Sequence, residues 1–462
     1  MKNQPPTLDT LVALAKRRGF IFQGSEIYGG LAGTWDYGPY GVMLKNNLKN
    51  LWWKHFVSER DDMYPLDSAI LMNAKVWEAS GHTGAGFADA LVEDTVTNKR
   101  YRADHLLEDN GVENAAELTM AQMSEKIKEL KLKSPDGNPL SDARTFNLMF
   151  STQAGPIEDT SARVYLRPET AQGMFVNFKN IIDTLHPKLP FGLAQIGKNF
   201  RNEITPRDFI FRVREFEIAE LEYFVAESGW KEQFEMLHHS MRDWFERIGL
   251  ELSDFHELEV PEADRAHYSK RTVDFEYSFS IGKKEIAGLA YRTDFDLNNH
   301  AKHSGTDLSY LDSGTGEKFI PHVIEPTFGV DRHVLAILSA AYHEEKVGEN
   351  DTRVVLKFKP ELAPIKIAVS PLLRNKPELV ELAKTVYRQL KTTYGSVAYD
   401  DNGNIGKRYR RQDEIGTPLC VVIDFDSLTD QSVTIRHRDT MEQSRVAIAE
   451  LPERIDSLLK AF

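Results

Sequence analysis

The spacing of apolar residues predicts a long amphipathic helix early in the chain. Apolar side chains recur at three- and four-residue intervals between Val42 and about Glu59. They are Leu44, Leu48, Leu51, Trp52 and Phe56. A helix brings such positions to one face, which is expected to be buried either within the chain or against a second subunit. Before this helix, the segment rich in glycine and aromatic residues (19–41) predicts packed loops and short strands. A strand is expected near 63–72 after it.

Alternating polarity marks a strand between Phe211 and Val225. The apolar positions are Phe211, Val213, Ala219, Leu221, Tyr223 and Val225, and the others are Arg212, Arg214, Phe216, Ile218, Glu220 and Glu222. Successive side chains of a strand point to opposite faces of its sheet. One face is therefore expected in the core, and the other is expected to present guanidinium groups, a ring and carboxylates. Other strand-like runs between 146 and 330 alternate with helices, one of them near Lys231–Ile248.

Composition divides the chain into regions. Between about residues 93 and 145 the chain becomes acidic and favours helix, then ends in the turn sequence SPDGNP, which predicts an inserted lobe. The segment FKPELAPIK is the expected linker. Residues 363–462 alternate strands and helices, as in a compact α/β domain. This tail has 15 Lys and Arg against 14 Asp and Glu, a net charge of +1, whereas the whole chain has 57 against 70 and a net charge of −13.

Composition also excludes several classes of protein. With 462 residues, of which 41% are hydrophobic and 27% charged, the chain is typical of an ordinary globular protein. The single cysteine, Cys420, allows no intramolecular disulfide and no thiolate-rich metal site. The start MKNQPPTLDT has no apolar signal segment, and no apolar run approaches the roughly 18 residues that span a membrane. We therefore expect a cytoplasmic protein without a membrane partner.

Three segments combine side chains that are suited to chemistry. In KNFRNEITPRDFIFRVREF, Arg201 and Glu203 are expected on one face of a strand, where they could bind a nucleotide with the arginines that follow. In RPETAQG, Glu169 is expected just inside a first helical turn. In VIEPTFGVDRHVLAIL, a strand with Glu325 and Thr327 is expected to turn into a helix and form an anion site.

Each segment also has a purely structural interpretation. The first could be a solvated strand face with cross-strand ion pairs. The second could be an ordinary capped helix, and the third a strand-to-helix turn with Asp331 as its N-cap. Taken one at a time, the segments do not decide between structure and function.

Together these residues resemble the class II, homodimeric glycyl-tRNA synthetases over nearly the whole chain. Motif 1 fits the helix 42–59 and Pro65, motif 2 fits 201–203 and 212–216, and motif 3 fits 329–332. The glycine-specific features are SEIYGGLAGTWDYGP, RPETAQG, REFEIAELEYF, YRTDFDL, VIEPTFG and GKRYRRQDEIGTP. The resemblance implies an α+β fold, in which an antiparallel sheet flanked by helices forms a catalytic domain over 1–360. It implies an α/β anticodon-binding domain over 363–462 and a homodimer.

The implied reaction is activation of glycine by ATP to glycyl-adenylate and transfer of glycine to the 3′ end of tRNA(Gly). The catalytic residues would be Arg201, Glu203 and Arg332. Arg201 would hold the α-phosphate and the substrate carboxylate, Glu203 would read the adenine amino group, and Phe216 would stack on the adenine. Arg332 and Arg212 would hold the γ-phosphate. The other implied ATP contacts are Asn202, Phe211, Glu285, Ile286 and Gly329. Glu285 is the candidate that would hold Mg²⁺ through water.

The resemblance also implies the other binding residues. The implied glycine site consists of Arg102, Glu169, Phe216, Glu220, Arg292, Glu325, Thr327 and Gly329. The implied tRNA contacts are Lys407, Arg408, Arg410 and Arg411, where single-stranded bases could stack on a neighbouring ring. The alternative for this basic segment is a solvated loop.

The sequence departs from the family pattern in the lobe. Many relatives have paired cysteines there, which suggest a zinc knuckle, but this lobe has none, so zinc is not expected. The segment GHTGAGFADA also differs from the usual GHVxxFxDP. Two other functions stay open: a class II synthetase for another amino acid, and a non-catalytic nucleic-acid-binding paralogue like the dimeric polymerase accessory subunit. The joint presence of Arg201, Glu203, Phe216 and Arg332 favours catalysis.

Overall fold

The computed structural model describes residues 5–84, 87–115, 118–156, 162–266, 268–349 and 351–462. Its α-helices are α1 (Leu8–Arg18), α2 (Pro39–Trp53), α3 (Ala74–Ala79), α4 (Ala103–Glu108), α5 (Met120–Glu129), α6 (Ala171–Leu185), α7 (Trp230–Arg247), α8 (Phe295–Ser304), α9 (Val330–Ala341), α10 (Pro377–Tyr394), α11 (Ile405–Ile415), α12 (Ser427–Asp430) and α13 (Leu451–Lys460).

The strands of the first 360 residues are β1 (Ile21–Gln23), β2 (Trp35–Tyr37), β3 (Met63–Pro65), β4 (Leu71–Met72), β5 (Ala88–Glu93), β6 (Arg100–Arg102), β7 (Arg144–Asn147), β8 (Ser151–Gln153), β9 (Arg163–Leu166), β10 (Phe191–Phe200), β11 (Glu215–Val225), β12 (Phe255–Glu259), β13 (Arg271–Phe279), β14 (Gly282–Thr293), β15 (Tyr310–Leu311), β16 (Lys318–Phe319), β17 (His322–Gly329), β18 (Tyr342–Lys346) and β19 (Thr352–Leu356). Those of the tail are β20 (Ile367–Pro371), β21 (Val397–Tyr399), β22 (Leu419–Ile423), β23 (Ser432–His437) and β24 (Gln443–Ala447).

A seven-stranded sheet forms the centre of the N-terminal part. Its order is β12-β13-β14-β17-β11-β10-β3, and each pair of neighbours is antiparallel except β10 and β3. Helices α2, α7 and α9 contribute to one apolar core with this sheet. The expected α+β fold with an antiparallel sheet is confirmed. The predicted strand 63–72 is wrong in detail, because β3 and β4 are two short strands in different sheets.

The alternation predicted for the motif 2 segment is confirmed from Glu215 onward. The odd positions Ala219, Leu221, Tyr223 and Val225 are buried in the core beside α2, α7 and α9. The even positions therefore face the other side of the sheet. Arg212 and Arg214 precede the strand and lie in a loop, so the predicted start of the strand was too early.

The predicted amphipathic helix is confirmed as α2, which continues as a π-helical turn over Lys54–Ser58. Its stripe lies inside the subunit. Leu44, Leu48 and Trp52 are at most 2% exposed and pack in the chain's own core. Of the two alternatives that the sequence left open for this stripe, burial within the subunit is therefore the correct one.

The tail forms a five-stranded sheet of order β21-β20-β22-β23-β24, in which β20 is parallel to both neighbours. The predicted alternation of strands and helices in the tail is confirmed. The linker candidate is not an exposed tether. Phe358, Leu362, Ala363 and Ile365 are buried in the core of the N-terminal part, because their apolar side chains pack there.

Residues 88–147 include a small unit with its own sheet, β6-β5-β7, and its own apolar cluster. A single carboxylate joins two of its turns. Asp94 is inaccessible to solvent and accepts hydrogen bonds from the Val96 and Thr97 amides, both at 2.9 Å. It also accepts from Ser134 Oγ at 2.6 Å and Asn138 Nδ2 at 3.0 Å. These donors hold the pKa of Asp94 well below its ordinary value, although desolvation acts in the opposite direction.

Within the described parts of the chain, no helix is both long enough and apolar enough to cross a lipid bilayer.

Candidate active site

Two adjoining cavities open on the face of the central sheet to which the even-numbered residues Phe216, Ile218 and Glu220 of β11 point. The first is lined by the motif 2 loop, β14 and the start of α9. The second is lined by Glu169, β13, β14 and β17. Arg201, Ile218, Glu285 and Thr327 line both cavities. A ligand group bound near Arg201 would therefore contact the contents of both.

The loop between β10 and β11 positions Arg201 and Glu203. Strand β10 ends at Phe200, so the prediction that Arg201 and Glu203 lie on a strand is wrong. The backbone pairing nevertheless extends by one bond, from Arg201 N to Arg214 O at 3.0 Å. Arg214 closes the loop, because Nε and Nη2 donate to the Glu203 carbonyl at 3.2 and 3.0 Å. Its Nη1 donates to Ala32 O at 2.9 Å and so fastens the glycine-rich N-terminal segment to motif 2.

Most of the residues predicted to bind ATP line the first cavity. They are Arg201, Glu203, Phe211, Arg212, Phe216, Glu285, Ile286, Gly329 and Arg332. Asn202 is the exception, since it is absent from this lining. Its backbone amide donates to Leu148 O at 2.8 Å. Arg201 and Phe216 are neighbours, with the guanidinium carbon 5.6 Å from the ring centroid.

The side chain of Arg332 contacts both Phe211 and Glu285 in the first cavity. Its guanidinium carbon lies 4.5 Å from the Phe211 ring centroid, and Nη1 donates to the Glu285 carbonyl at 2.8 Å and its carboxylate at 3.3 Å. The neighbouring Asp331 is buried and is not the helix cap that the sequence suggested. Its carboxylate instead accepts from Tyr37, Lys45 and the amide of Glu217. This anchoring fixes the first turn of α9, and with it Arg332.

One wall of the second cavity is formed by residues that lie side by side on three neighbouring strands. Register places Glu220 of β11 opposite Thr327 of β17, which is opposite Gly288 of β14. Thr327 Oγ1 lies 3.0 Å from Glu220 Oε1 and 3.2 Å from Glu325 Oε1. Glu220 Oε2 accepts from the Thr170 amide at 3.1 Å and its hydroxyl at 2.5 Å. Burial, and then the charge of Glu169, raise the pKa of Glu220.

Glu169 lies at the rim of this wall beside a histidine that the sequence did not suggest. Helix α6 starts at Ala171, so Glu169 precedes the helix, contrary to prediction. Its carboxylate lies 3.2 Å from His82 Nε2 and accepts from Gln172 Nε2 at 2.9 Å. Burial alone would raise the pKa of Glu169, but His82 overcomes this effect and holds it well below its ordinary value. His82 lies in the segment GHTGAGFADA, which differs from the family pattern. No sequence pattern there indicates that His82 would contact Glu169.

Arg292 lies behind Glu325 rather than in the cavity wall. It donates through Nε and Nη2 to Asp296 at 2.7 and 2.8 Å and through Nη1 to Glu325. Tyr268 covers its guanidinium at 3.8 Å. Desolvation raises the pKa of Glu325 despite the opposing effect of Arg292. Arg292 is 2% exposed, so the geometry favours orientation of Glu325 over contact with substrate.

The structure divides the predicted glycine residues into three groups. Glu169, Glu220, Glu325 and Thr327 line the second cavity, whereas Phe216 and Gly329 line the first. Arg102 and Arg292 line neither cavity. Arg102, on strand β6, is ion-paired with Asp89 of strand β5 at 3.0 Å and with Asp104 of helix α4, and its contact with glycine stays a prediction.

Two carboxylates that interact electrostatically, Asp274 and Glu285, line the cavities. Asp274 lines the second cavity and Glu285 lines both. Burial, and then the charge of Glu285, raise the pKa of Asp274 to about 6. Oxygen ligands of this kind suit Mg²⁺, which usually keeps several waters and takes only one or two protein carboxylates. Asp274 had no distinguishing signal in the sequence.

The basic segment of the tail is a helix, α11, and its cations differ in accessibility. Lys407 is exposed, and Arg410 is half-buried and paired with Asp351 at 2.6 Å. Arg411 pairs with Asp400 at 2.8 Å. Arg408 is 2% exposed and donates to the carbonyls of Pro371, Asp401 and Gly403. The prediction that Arg408 contacts tRNA is therefore wrong, because its guanidinium closes two loops of the domain.

Comparison with known families agrees with this geometry. Residues 150–341 match the tRNA synthetase class II core domain (G, H, P, S and T), and residues 366–458 match the anticodon binding domain. The fold and site thus define a class II aminoacyl-tRNA synthetase.

Individual relatives narrow the class further. The chain is 50% identical to glycine–tRNA ligases of Caldanaerobacter subterraneus subsp. tengcongensis and Alkaliphilus oremlandii, over 98% of this chain and 99% of each relative. It is 47% identical to the glycine–tRNA ligase of Thermus thermophilus over the same shares. The chain belongs to the glycine–tRNA ligase family.

Proposed function

We propose that this protein is an ATP-dependent ligase that activates glycine to glycyl-adenylate and then transfers the glycyl group to the 3′ end of tRNA(Gly). The observation that carries the proposal is the position of Arg201 between the two cavities. In the activation step, a glycine carboxylate oxygen attacks the α-phosphorus of ATP and pyrophosphate leaves. Both anions must meet at one cation, and Arg201 is the arginine that lines both cavities.

The first cavity is assigned to ATP. Glu203 would accept from the adenine amino group, and Phe216 would stack on the ring. Arg212 and Arg332 would bind the γ-phosphate, as guanidinium groups do in phosphate sites. Of the other predicted ATP contacts, Phe211, Ile286 and Gly329 would form part of the cavity wall. Asn202 would support the loop through its backbone and would not contact ATP with its side chain. Mg²⁺ held by Glu285, with Asp274 beside it, would neutralise part of the phosphate charge.

The second cavity is assigned to glycine. An ammonium group suits a site with several carboxylate acceptors. Glu169, Glu220 and Glu325 line this cavity, and the last two lie beside the Thr327 hydroxyl. Arg292 and His82 would orient Glu325 and Glu169 respectively. The substrate carboxylate is ionised at neutral pH, so activation needs no general base. Catalysis then depends on fixed charge and on position.

We assign 1–360 to the catalytic domain, with the lobe at about 93–145, and 363–462 to anticodon binding. Lys407, Arg410 and Arg411 remain the proposed tRNA contacts of the tail. A homodimer is also proposed, in the cytoplasm. Ile27 and Tyr28 are 89% and 86% exposed on the N-terminal segment that Arg214 fastens to motif 2, and a partner subunit would cover such apolar side chains.

ATP–pyrophosphate exchange tests the activity and its specificity in one assay. Each amino acid is added in turn to the purified protein without tRNA. Exchange with glycine alone supports the proposal, and exchange with a different amino acid would overturn the assignment of the second cavity. A folded protein that exchanges with none would instead fit the non-catalytic nucleic-acid-binding paralogue.

A further inference from the structure

Glu222 is a buried carboxyl group that none of the proposed steps uses. It is 0% exposed, and neither carboxyl oxygen has a hydrogen-bond partner among the described residues. Leaving an ionised carboxylate in such a place is strongly unfavourable, since burial removes its hydration and nothing replaces it. A buried carboxyl group can avoid this cost by keeping its proton.

The position of Glu222 links it to the proposed glycine site. The pairs Glu220–Thr327 and Tyr223–Ile324 set a register that brings Glu222 opposite Glu325 on the neighbouring strand. Carboxyl oxygens of Glu220, Glu222 and Glu325 lie within 4.8 Å of one another. Carboxyl groups this close do not all ionise together.

The charged groups around Glu222 leave it as the member that takes the proton. They are Glu220 on its own strand, Glu325 on β17, Arg292 on β14 and Asp296 on α8, while Glu169 before α6 acts on Glu220 and Glu325. Arg292 is the cation among these groups, and it already donates to Asp296 and Glu325. Helix α6 adds Gln172, which donates to Glu169 and Asp296.

Hydrogen-bond donors are distributed unequally in this cluster. Glu220 accepts from Thr170, and Glu325 accepts from Arg292, while Thr327 lies within reach of both. Donors of this kind stabilise the ionised form of a carboxyl group. Glu222 has none, and burial followed by the charge of Glu325 raises its pKa well above the ordinary value.

We propose that Glu222 is a positioning residue of the glycine site, which stays protonated and directs its carboxyl proton toward Glu325. The inference rests on the proposed glycine site. Donation from Glu222 favours the ionised form of Glu325, which is the form that accepts a hydrogen bond from the substrate ammonium. Without this donor, burial would leave Glu325 protonated over more of the neutral pH range, and the acceptor would be lost.

The test compares Glu222→Leu and Glu222→Gln with the wild type. The KM for glycine is measured by pyrophosphate exchange between pH 6.5 and 9, and the ratio of variant to wild type cancels the titration of glycine itself. For Glu222→Leu we expect a ratio of about ten at pH 6.5, as a one-unit rise in the pKa of Glu325 would produce, falling toward one at pH 9. Glu222→Gln keeps a neutral donor and should recover most of the loss.

Infrared spectroscopy gives a second readout, which needs neither substrate nor turnover. The carbonyl band of a protonated carboxylic acid, sensitive to exchange into D₂O, should be present in the substrate-free wild type and weaker in Glu222→Gln. The infrared comparison of the wild type with Glu222→Gln still tests the protonation of Glu222 if Glu222→Leu fails to fold.

Each other outcome would overturn the inference. A KM ratio independent of pH would indicate a merely structural role. A Gln variant as impaired as the Leu variant would indicate an ionised Glu222, as would the absence of any difference in the carbonyl band. Failure of the wild type to exchange with glycine would instead count against the proposed function, while the infrared comparison would still report the proton.

Discussion

Lys45 Nζ lies 3.0 Å from Oδ1 of Asp331, so a buried ion pair joins helix α2 to the first turn of α9. Glu217 of β11 completes the network, with Oε2 at 2.5 Å from the same ammonium. Lys45 is only 6% exposed. Arg332 follows Asp331 directly in the first turn of α9. The ion pair therefore fixes the position of Arg332, a residue of the proposed ATP site, relative to α2.

We expect Lys45→Met to lower the free energy of unfolding by about 3–5 kcal/mol, because it leaves the buried carboxylate of Asp331 without its cation and Glu217 with Lys49 alone. The KM for ATP should also rise as Arg332 loses its anchor. Chemical denaturation and exchange kinetics measure the two effects. Lys49→Met is the matched control. Lys49 lies on the same helix and bonds the same Glu217 at 3.0 Å, but its side chain is 26% exposed, so we expect a loss of about 1 kcal/mol or less.

The pH dependence of this network follows from two pKa shifts. Burial lowers the pKa of Lys45, but Asp331 and Glu217 overcome this and raise it, so its contribution is complete below about 10.5 and is lost above. Burial raises the pKa of Glu217, but Lys45 overcomes this and lowers it, so its contribution is present above about 4.5 and is lost as the pH falls further. The difference in stability between wild type and Lys45→Met should therefore narrow in acid below pH 4.5. A difference that stays constant there would contradict the assignment.

Arg201→Ala should lower the rate of adenylate formation at least about 100-fold, since a fixed charge at the reacting phosphate is removed. The side chain is half-buried and its guanidinium bonds to the Pro168 carbonyl at 3.3 Å, so the fold should persist. Arg388→Ala, on the exposed face of α10, is the control and should exchange normally. Near-normal exchange by Arg201→Ala in a folded protein would remove Arg201 from the proposed mechanism.

Gly288→Ala tests the location of the glycine site without disturbing the fold. A Cβ there would have Asp274 Oδ1 as its nearest atom, at 3.6 Å, which is ordinary contact, but the methyl would project into the second cavity. We expect the KM for glycine to rise about tenfold or more while the melting temperature changes little. Gly229→Ala adds a methyl where nothing lies within 4 Å and should leave the KM unchanged. An unchanged KM in Gly288→Ala would place glycine elsewhere.

The sequence predicts the periodic elements well because each is encoded by residues that are close along the chain. The stripe of α2, the alternation of β11 and the strand-to-helix turn before α9 are of this kind. Whether the α2 stripe packs inside the subunit or against a partner depends on the rest of the chain, so periodicity could not decide it. The same limit applies to Lys45 and Asp331, which lie 286 residues apart.

The sequence predicted residues of the proposed site only where they lie in recognisable motifs. The motif arginines and Glu220, Glu325 and Thr327 stand in quoted segments, and most of them line one of the cavities. His82 and Asp274 could not be found, because their importance comes from Glu169 and Glu285 in distant segments. Among basic residues close in sequence, composition could not distinguish the exposed Lys407 from the buried Arg408.

That distinction gives a prediction for the tail. Lys407→Ala should raise the KM for tRNA severalfold, with an effect that shrinks as salt increases, because a phosphate contact is screened. Arg408→Ala should instead lower the free energy of unfolding by about 2–3 kcal/mol, since three carbonyls lose their donor. Arg454→Ala, exposed on α13, is the control for stability. A salt-dependent loss of tRNA affinity in a fully stable Arg408→Ala would contradict the structural role.

The four hydrogen bonds to Asp94 have a consequence for how the lobe holds its shape. Two turns, 94–97 and 134–138, are held by a carboxylate, two amides, a hydroxyl and a side-chain amide, all of which are covalent parts of the chain. These turns therefore share one anchor, and a substitution that removes the Asp94 carboxylate would release both of them together.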